Sequence, residues 1–168
     1  IARAFEETRP DRDFPESVYL YQVPRLAAPS GCPELALRLV RALGREQRGQ
    51  LVIALAEAVL EHRAGRTEKA REKLAAALEA IAKRGSLEHG EQAILQQVTA
   101  GPDAALAAEI ERVLPGLGAE HAPVRVLLDG AVLCGREQLG AAAARLRAAY
   151  DRQPGDSAVR RGLVSVLR

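Results

Sequence analysis

QLVIALAEAVLEHRAGRTEKAREKLAAALEAIAKR, residues 50–84, reads as two amphipathic helices joined by a tight turn at Gly65. From Leu51 to Leu60 the apolar residues cover more than one face, so the first helix is expected to be buried on two sides. Beyond the turn, Thr67 stands where an N-cap is expected, with Glu68 and Arg71 one turn apart as an acid-base pair. Ala70, Leu74, Ala77, Leu78 and Ile81 then fall on one side of a second helix. Lys69, Arg71, Glu72, Lys73, Glu79 and Lys83 fall on the other, which should be wet. Gly85 is placed to end that helix in the left-handed conformation that other residues resist.

A shift of thirty-six residues carries Gly65 onto Gly101 and repeats the pattern. Ala70, Leu74, Ala77 and Leu78 land on Leu106, Ile110, Val113 and Leu114, and then on Ala142, Leu146, Ala149 and Tyr150. Ala58 in the preceding helix lands on Ile94 and then on Gly130. The third copy has Glu137 in place of the turn glycine, with Gly135 two residues earlier, so its turn is expected to differ. Alanine-rich amphipathic helices can mimic such a repeat, because both share a helical period.

These residues resemble the tetratricopeptide repeats. The resemblance rests on Gly65, Ala70, Leu74 and Ala77 in the first unit and on Gly130, Ala142, Leu146, Ala149 and Pro154 in the last, and spans roughly residues 50–157. The chain departs from the family's pattern in its period, in lacking large aromatic residues in the first helices, and in having no closing proline after the first unit. Another helical-hairpin array would read much the same. The resemblance implies an all-α, right-handed solenoid of antiparallel hairpins with seven to nine helices. Each hairpin would bury its faces only by stacking on its neighbours.

On this division residues 1–33 form an arm and loop, 34–49 an atypical capping helix, 50–85, 86–121 and 122–157 the repeats, and 158–168 a final helix. The charged arm at 1–16 carries Pro10 and Pro15, and SVYLYQV at 17–23 is expected to form a short helix. Pro33 suits the first turn of a helix running to Gly44. Arg45 to Arg63 is expected to be one long helix. Ser86 is expected to cap the next helix, and Pro123 to open the one through Val124 and Leu128. The partner of that helix is expected over 137–152, and Asp156 stands as the cap of the last.

Twenty-four basic and twenty-two acidic side chains, mixed along the helices, give no single-sign field. With aromatic residues at 3%, stacking platforms for nucleic acid are missing, so no nucleic-acid partner is expected. No apolar run approaches the roughly 20 residues needed to cross a bilayer. The chain begins at Ile1 without methionine and stops at Arg168 inside an apparent helix, ends that read as those of an excised domain or processed product. A signal peptide or anchor removed upstream stays open, with the cytoplasm favoured. Cys32 and Cys134 are too far apart for a C-x-x-C site; a disulfide between them and two reduced, buried thiols are both open.

His62, His89 and His121 are scattered without ligand spacing, so neither a metal nor another cofactor is expected. Glu88 beside His89 reads more simply as two solvated side chains than as an acid-base pair. No phosphate loop or nucleophile elbow is present, and no catalytic residue is assigned. The expected function is a non-catalytic scaffold or adaptor that binds a peptide or partner protein. The resemblance implies a concave face lined by the first helix of each hairpin, with Val59, His62 and Arg63 in the first unit, Glu91, Leu95 and Thr99 in the second, and Leu127 and Ala131 in the third. Ordinary inter-repeat core is the competing reading for Val59, Leu95 and Leu127, and a solvated helix end for His62 and Arg63. The family's carboxylate clamp needs several basic side chains, and only Arg63 is placed for one. The alternative function is a helical accessory or regulatory domain of a larger enzyme or secretion machine. Self-association through the final helix is a further expectation.

Overall fold

Apolar stripes interrupted by glycine- and proline-bearing breaks resolve into eight α-helices and no strand among the described residues, within the seven to nine helices expected. The computed structural model describes Val23, Arg25 and residues 31–46, 51–101, 103–117 and 122–167. In chain order the helices are α1 (Pro33–Glu46), α2 (Leu51–Arg63), α3 (Thr67–Arg84), α4 (His89–Ala100), α5 (Ala104–Val113), α6 (Ala122–Gly135), α7 (Leu139–Arg152) and α8 (Ser157–Val166). A 3-10 turn, Leu114–Gly116, closes α5 at Pro115 and Gly116. The arm at 1–16 lies outside the described residues. So does the segment at 17–23, apart from Val23, which is helical and buried. Among the described residues, no helix is long and apolar enough to cross a membrane.

The turns reverse one expectation. Gly65 has φ 82° and Glu137 φ 59°, both left-handed. At the first turn the Gly65 N–H donates to the His62 carbonyl and the Arg66 N–H to the Glu61 carbonyl, each at 2.9 Å. At the third, the Glu137 N–H donates to Cys134 at 3.0 Å and the Gln138 N–H to Leu133 at 2.9 Å, the same bonds seventy-two residues on. Glu137 therefore makes the glycine turn without glycine. The middle copy is the one that differs, because Gly101 is extended at φ −102°, ψ −168°. Pro102 explains it: proline has no N–H to give the second bond, and it drives the residue before it out of the helical region.

Burial recurs at the shifted positions. Ala70, Leu106 and Ala142 are each 0% exposed, and Leu74, Ile110 and Leu146 are 1%, 0% and 2% exposed. The hairpin partners α2/α3, α4/α5 and α6/α7 touch, and the first helices meet in sequence, α2 with α4, α4 with α6 and α6 with α8. Helix α1 lies against α2, and α3 against α5. Glycine permits the closest of these approaches. A Cβ on Gly135 would lie 2.6 Å from the Gln96 carbonyl oxygen and 3.0 Å from Gln96 Cα, so α6 rests directly on the α4 backbone. One apolar core runs from Val23 through Val132, and a smaller cluster of Leu127, Leu146, Val159 and Leu163 holds the C-terminal helices.

Helix α2 is buried almost all round, as its apolar pattern requires, and α3 is buried along Ala70, Leu74, Ala77, Leu78 and Ile81, as expected, and also at Ala82. The expected caps fare less well. Thr67 is the first residue inside α3, because the left-handed Gly65 makes Arg66 the last residue outside it; no side chain caps that end. Helix α4 starts at His89, not after Ser86, because the Glu91 carboxylate reaches back to the Glu88 N–H at 2.9 Å. Ser86 instead accepts from Arg84 Nε at 3.0 Å. Of the helix expected from Arg45 to Arg63, Arg45 and Glu46 belong to α1, which runs past Gly44, Leu51–Arg63 is α2, and 47–50 lie outside the described residues. Helix α7 starts at Leu139, since Glu137 is spent on the turn. Asp156 caps α8 as expected, accepting from the Ala158 and Val159 N–H groups at 2.8 and 3.0 Å.

Charged tethers tie the hairpins. Fully buried Glu61 takes Arg41 from α1, Arg66 from the turn and Lys69 from α3, the last at 3.3 Å. Arg66 also holds Glu34 at 2.6 Å. Burial, the largest influence, pushes the Glu61 carboxyl up, but hydrogen bonds and charge from Arg66 and Lys69 outweigh it and the net direction is down. Cys32 and Cys134 are both free, and Cys32 is exposed rather than buried.

Candidate functional site

Leu127, Gly130, Ala131 and Cys134 recur at three- and four-residue spacing, so they share one face of α6. That face is the floor of a groove enclosing a cavity of about 210 Å³. His89 and Gln92 from α4 form one wall, Ala158, Arg161 and Val166 from α8 the other, and Leu146 of α7 lies beneath. The groove thus crosses three successive first helices at the boundary between the main core and the C-terminal cluster.

Glycines set its depth. A Cβ on Gly130 would lie 3.3 Å from Leu146 Cδ1, and one on Gly162 would lie 3.1 Å from Leu127 Cδ2 and 3.4 Å from Leu146 Cδ2. Both helices therefore sit down on Leu146, and neither sends a side chain into the space above it. The walls are fixed from behind. Arg145 of α7 holds Asp129 of α6 at 2.8 Å, Arg136 holds Glu111 of α5, and Asp156 fixes the start of α8.

The chemistry on offer is apolar contact with a polar rim. Burial pushes the Cys134 thiol up from its ordinary value, so the thiol stays protonated at neutral pH and is a poor nucleophile. Among the described residues, no group of three or more His, Cys, Asp or Glu side chains is placed to hold a metal ion. An imidazole, an amide and a guanidinium around an aliphatic floor can hold a ligand in place.

The residues expected to bind a partner divide sharply. Leu127 and Ala131 are in the groove. Val59, Glu91 and Leu95 are 1%, 0% and 0% exposed, with Val59 and Leu95 packed in the apolar core. The Glu91 carboxylate is engaged by Arg84 and by the Glu88 N–H. Arg63 grips the buried carboxylate of Asp103, with Nε at 3.1 Å from Oδ1, and ties α2 to the start of α5. His62 is half-buried, with Nδ1 3.3 Å from Thr67 Oγ1. Thr99 donates to the Leu95 carbonyl at 2.9 Å and abuts Gly135.

Sequence reasoning passed over His89, Gln92, Cys134 and Arg161. A signal for two of them existed: moving His89 by the thirty-six-residue shift gives Arg125 and then Arg161, a basic or imidazole side chain at one place in three successive first helices. No protein-family model, curated protein or solved structure matches this chain.

Proposed function

We propose that this chain is a non-catalytic protein–protein interaction module, a right-handed, tetratricopeptide-like solenoid that seats an extended peptide segment of a partner. The observation that carries the proposal is the groove itself, which opens across α4, α6 and α8 with an aliphatic floor and a polar rim. The solenoid reading is supported by burial that recurs at thirty-six-residue intervals and by the neighbour order α2, α4, α6, α8. Recognition would use the apolar space for one anchoring side chain and the rim for orientation. The test is selection of peptides from a random display library on the immobilised domain, repeated on Ala158→Trp, which fills the groove from its α8 wall. Peptides enriched on the native domain should lose at least about tenfold in affinity for the variant. No enrichment, or equal binding to both, would refute the reading.

A second reading, an accessory domain of a larger enzyme or secretion machine, is favoured by the outer side of α8. Val164 and Leu167 are 45% and 60% exposed, whereas Leu128 and Ala131, thirty-six residues earlier, are 0% and 2% exposed beneath their neighbours. An apolar pair left open there suits packing against another folded element.

A further inference from the structure

The groove carries a charge pattern that narrows its partner. His89 and Arg161 line it from α4 and α8, and Arg125 holds the corresponding place on α6 between them. No carboxylate is among the lining residues. The acids nearest in sequence are already engaged: Glu88 with Arg84 at 3.2 Å, Asp129 with Arg145 at 2.8 Å, and Asp156 with the N–H groups of α8. Arg161 has only a 3.4 Å approach to Ser157 Oγ, and among the described residues no ion pair holds Arg125. Among the described residues, no carboxylate therefore engages the donors His89 and Arg161 at the edge of the groove, and none engages Arg125.

We infer that the partner segment is acidic and extended, with carboxylate side chains at about every third position and one aliphatic side chain between them. This inference rests on the groove reading above and adds the chemistry of its occupant. The spacing follows from two lengths. Packed helices lie about 8–10 Å apart, so donors at one place on successive helices repeat at about that distance. A segment in the extended polyproline II conformation advances about 3.1 Å per residue with three residues per turn, so every third side chain lies on one face, about 9 Å from the last, and meets the next donor. The two side chains between point to the other faces, which leaves one of them free to turn into the cavity. An apolar cavity of about 150 Å³ accepts benzene, so about 210 Å³ has room for a leucine-sized anchor. The two arginines can each take a carboxylate in two-pronged fashion, and His89 offers a ring N–H.

The test uses the full chain and a fluorescein-labelled synthetic peptide with glutamate at every third position and a leucine in between, read by fluorescence anisotropy. Three further peptides carry glutamine for each glutamate, lysine for each glutamate, or the same composition with the glutamates contiguous. The acidic, spaced peptide should bind at least about tenfold tighter than its glutamine form, weaken as salt is raised, and lose most of that advantage on Arg125→Gln/Arg161→Gln. Arg161 is exposed and Arg125 half-buried, and an unchanged melting curve for the double variant keeps its result interpretable. Equal binding of the glutamate and glutamine peptides would overturn the charge inference and leave the groove reading standing. Tighter binding of the lysine peptide, or equal binding of the contiguous form, would also overturn it. Failure of every peptide, including those enriched from the random library, would overturn both.

Discussion

Gly135→Ala asks whether α6 rests on α4 as closely as the contact between Gly135 and the Gln96 backbone requires. On propensity alone, replacing glycine by alanine in a helix stabilises by up to about 1 kcal/mol. At Gly135 the added Cβ would fall on Thr99 Oγ1 and lie 2.6 Å from the Gln96 carbonyl oxygen. Thr99 can rotate away. The Gln96 carbonyl is backbone in the middle of α4 and cannot, so α6 must lift off along its last turn. Overpacking of this kind costs about 1–3 kcal/mol, and with the propensity gain small at a helix end the net loss should be about 2 kcal/mol. For a domain of this size that is a fall of about 4–8 °C in melting temperature. Urea unfolding followed by circular dichroism measures it, with Gly140→Ala as the control, because a Cβ there meets nothing within 4 Å. Thr99→Ala added to Gly135→Ala should recover only part of the loss. A Gly135→Ala protein as stable as the native one would show that α4 and α6 are not seated on each other in this way.

Glu137→Gly should stabilise by about 0.5–1 kcal/mol in the same assay, because Glu137 occupies a left-handed conformation at φ 59° that glycine adopts freely. Gly65→Ala should lose about 1 kcal/mol for the converse reason. Arg63→Ala should cost about 3 kcal/mol by leaving Asp103 buried and unanswered, so loss of partner binding in that variant would be read first against its melting curve. Acid should weaken the N-terminal tethers: Glu34, through its hydrogen bond from Arg66, and Glu61 both sit below the ordinary value of 4.5 when folded. Their stabilisation is complete above that value and is lost as pH falls through the lower folded values. The melting temperature should thus be level from neutrality to about pH 5 and drop below it. Glu61→Gln should flatten part of that drop and cost about 2 kcal/mol at neutral pH, since its three cations are half-exposed and can rehydrate. An unchanged acid profile in Glu61→Gln would remove that carboxylate from the explanation.

What the residues disclosed in advance was periodic. The apolar spacing of α3 and its shifted copies placed Leu74, Ile110 and Leu146 in the core, because helical geometry alone decides which side chains share a face. Turn chemistry was half legible. Gly65 and Gly85 announce their left-handed backbone, whereas Glu137 hides its own, and Gly101 promised one that Pro102 prevents. Helix starts were misread at Thr67 and Ser86, where the decisive contacts come from the turn geometry and from Glu91.

The site was less legible because burial is a property of neighbours. Val59, Leu95 and Ala131 have the same aliphatic character, yet two lie wholly in the core and only Ala131 reaches the groove, since the space opens where Gly130 and Gly162 bring three helices onto Leu146. Charge misled in the same way. Arg63 looked available for a partner, but Asp103, forty residues away, folds back to meet it. Arg161 lines the groove and Arg125 stands thirty-six residues before it on α6, a relation that a single sequence shows only when His89 is moved by that shift.

Chemical-shift mapping of an isotope-labelled chain titrated with a library-selected peptide tests the groove most directly. Perturbations should concentrate at Gln92, Ala131, Cys134, Ala158 and Arg161, with Gly130 and Gly162 shifting beneath them. Perturbations centred instead on the outer faces of α3 and α7, around Glu79, Lys83 and Arg147, with the groove residues unmoved, would contradict a partner seated across the first helices.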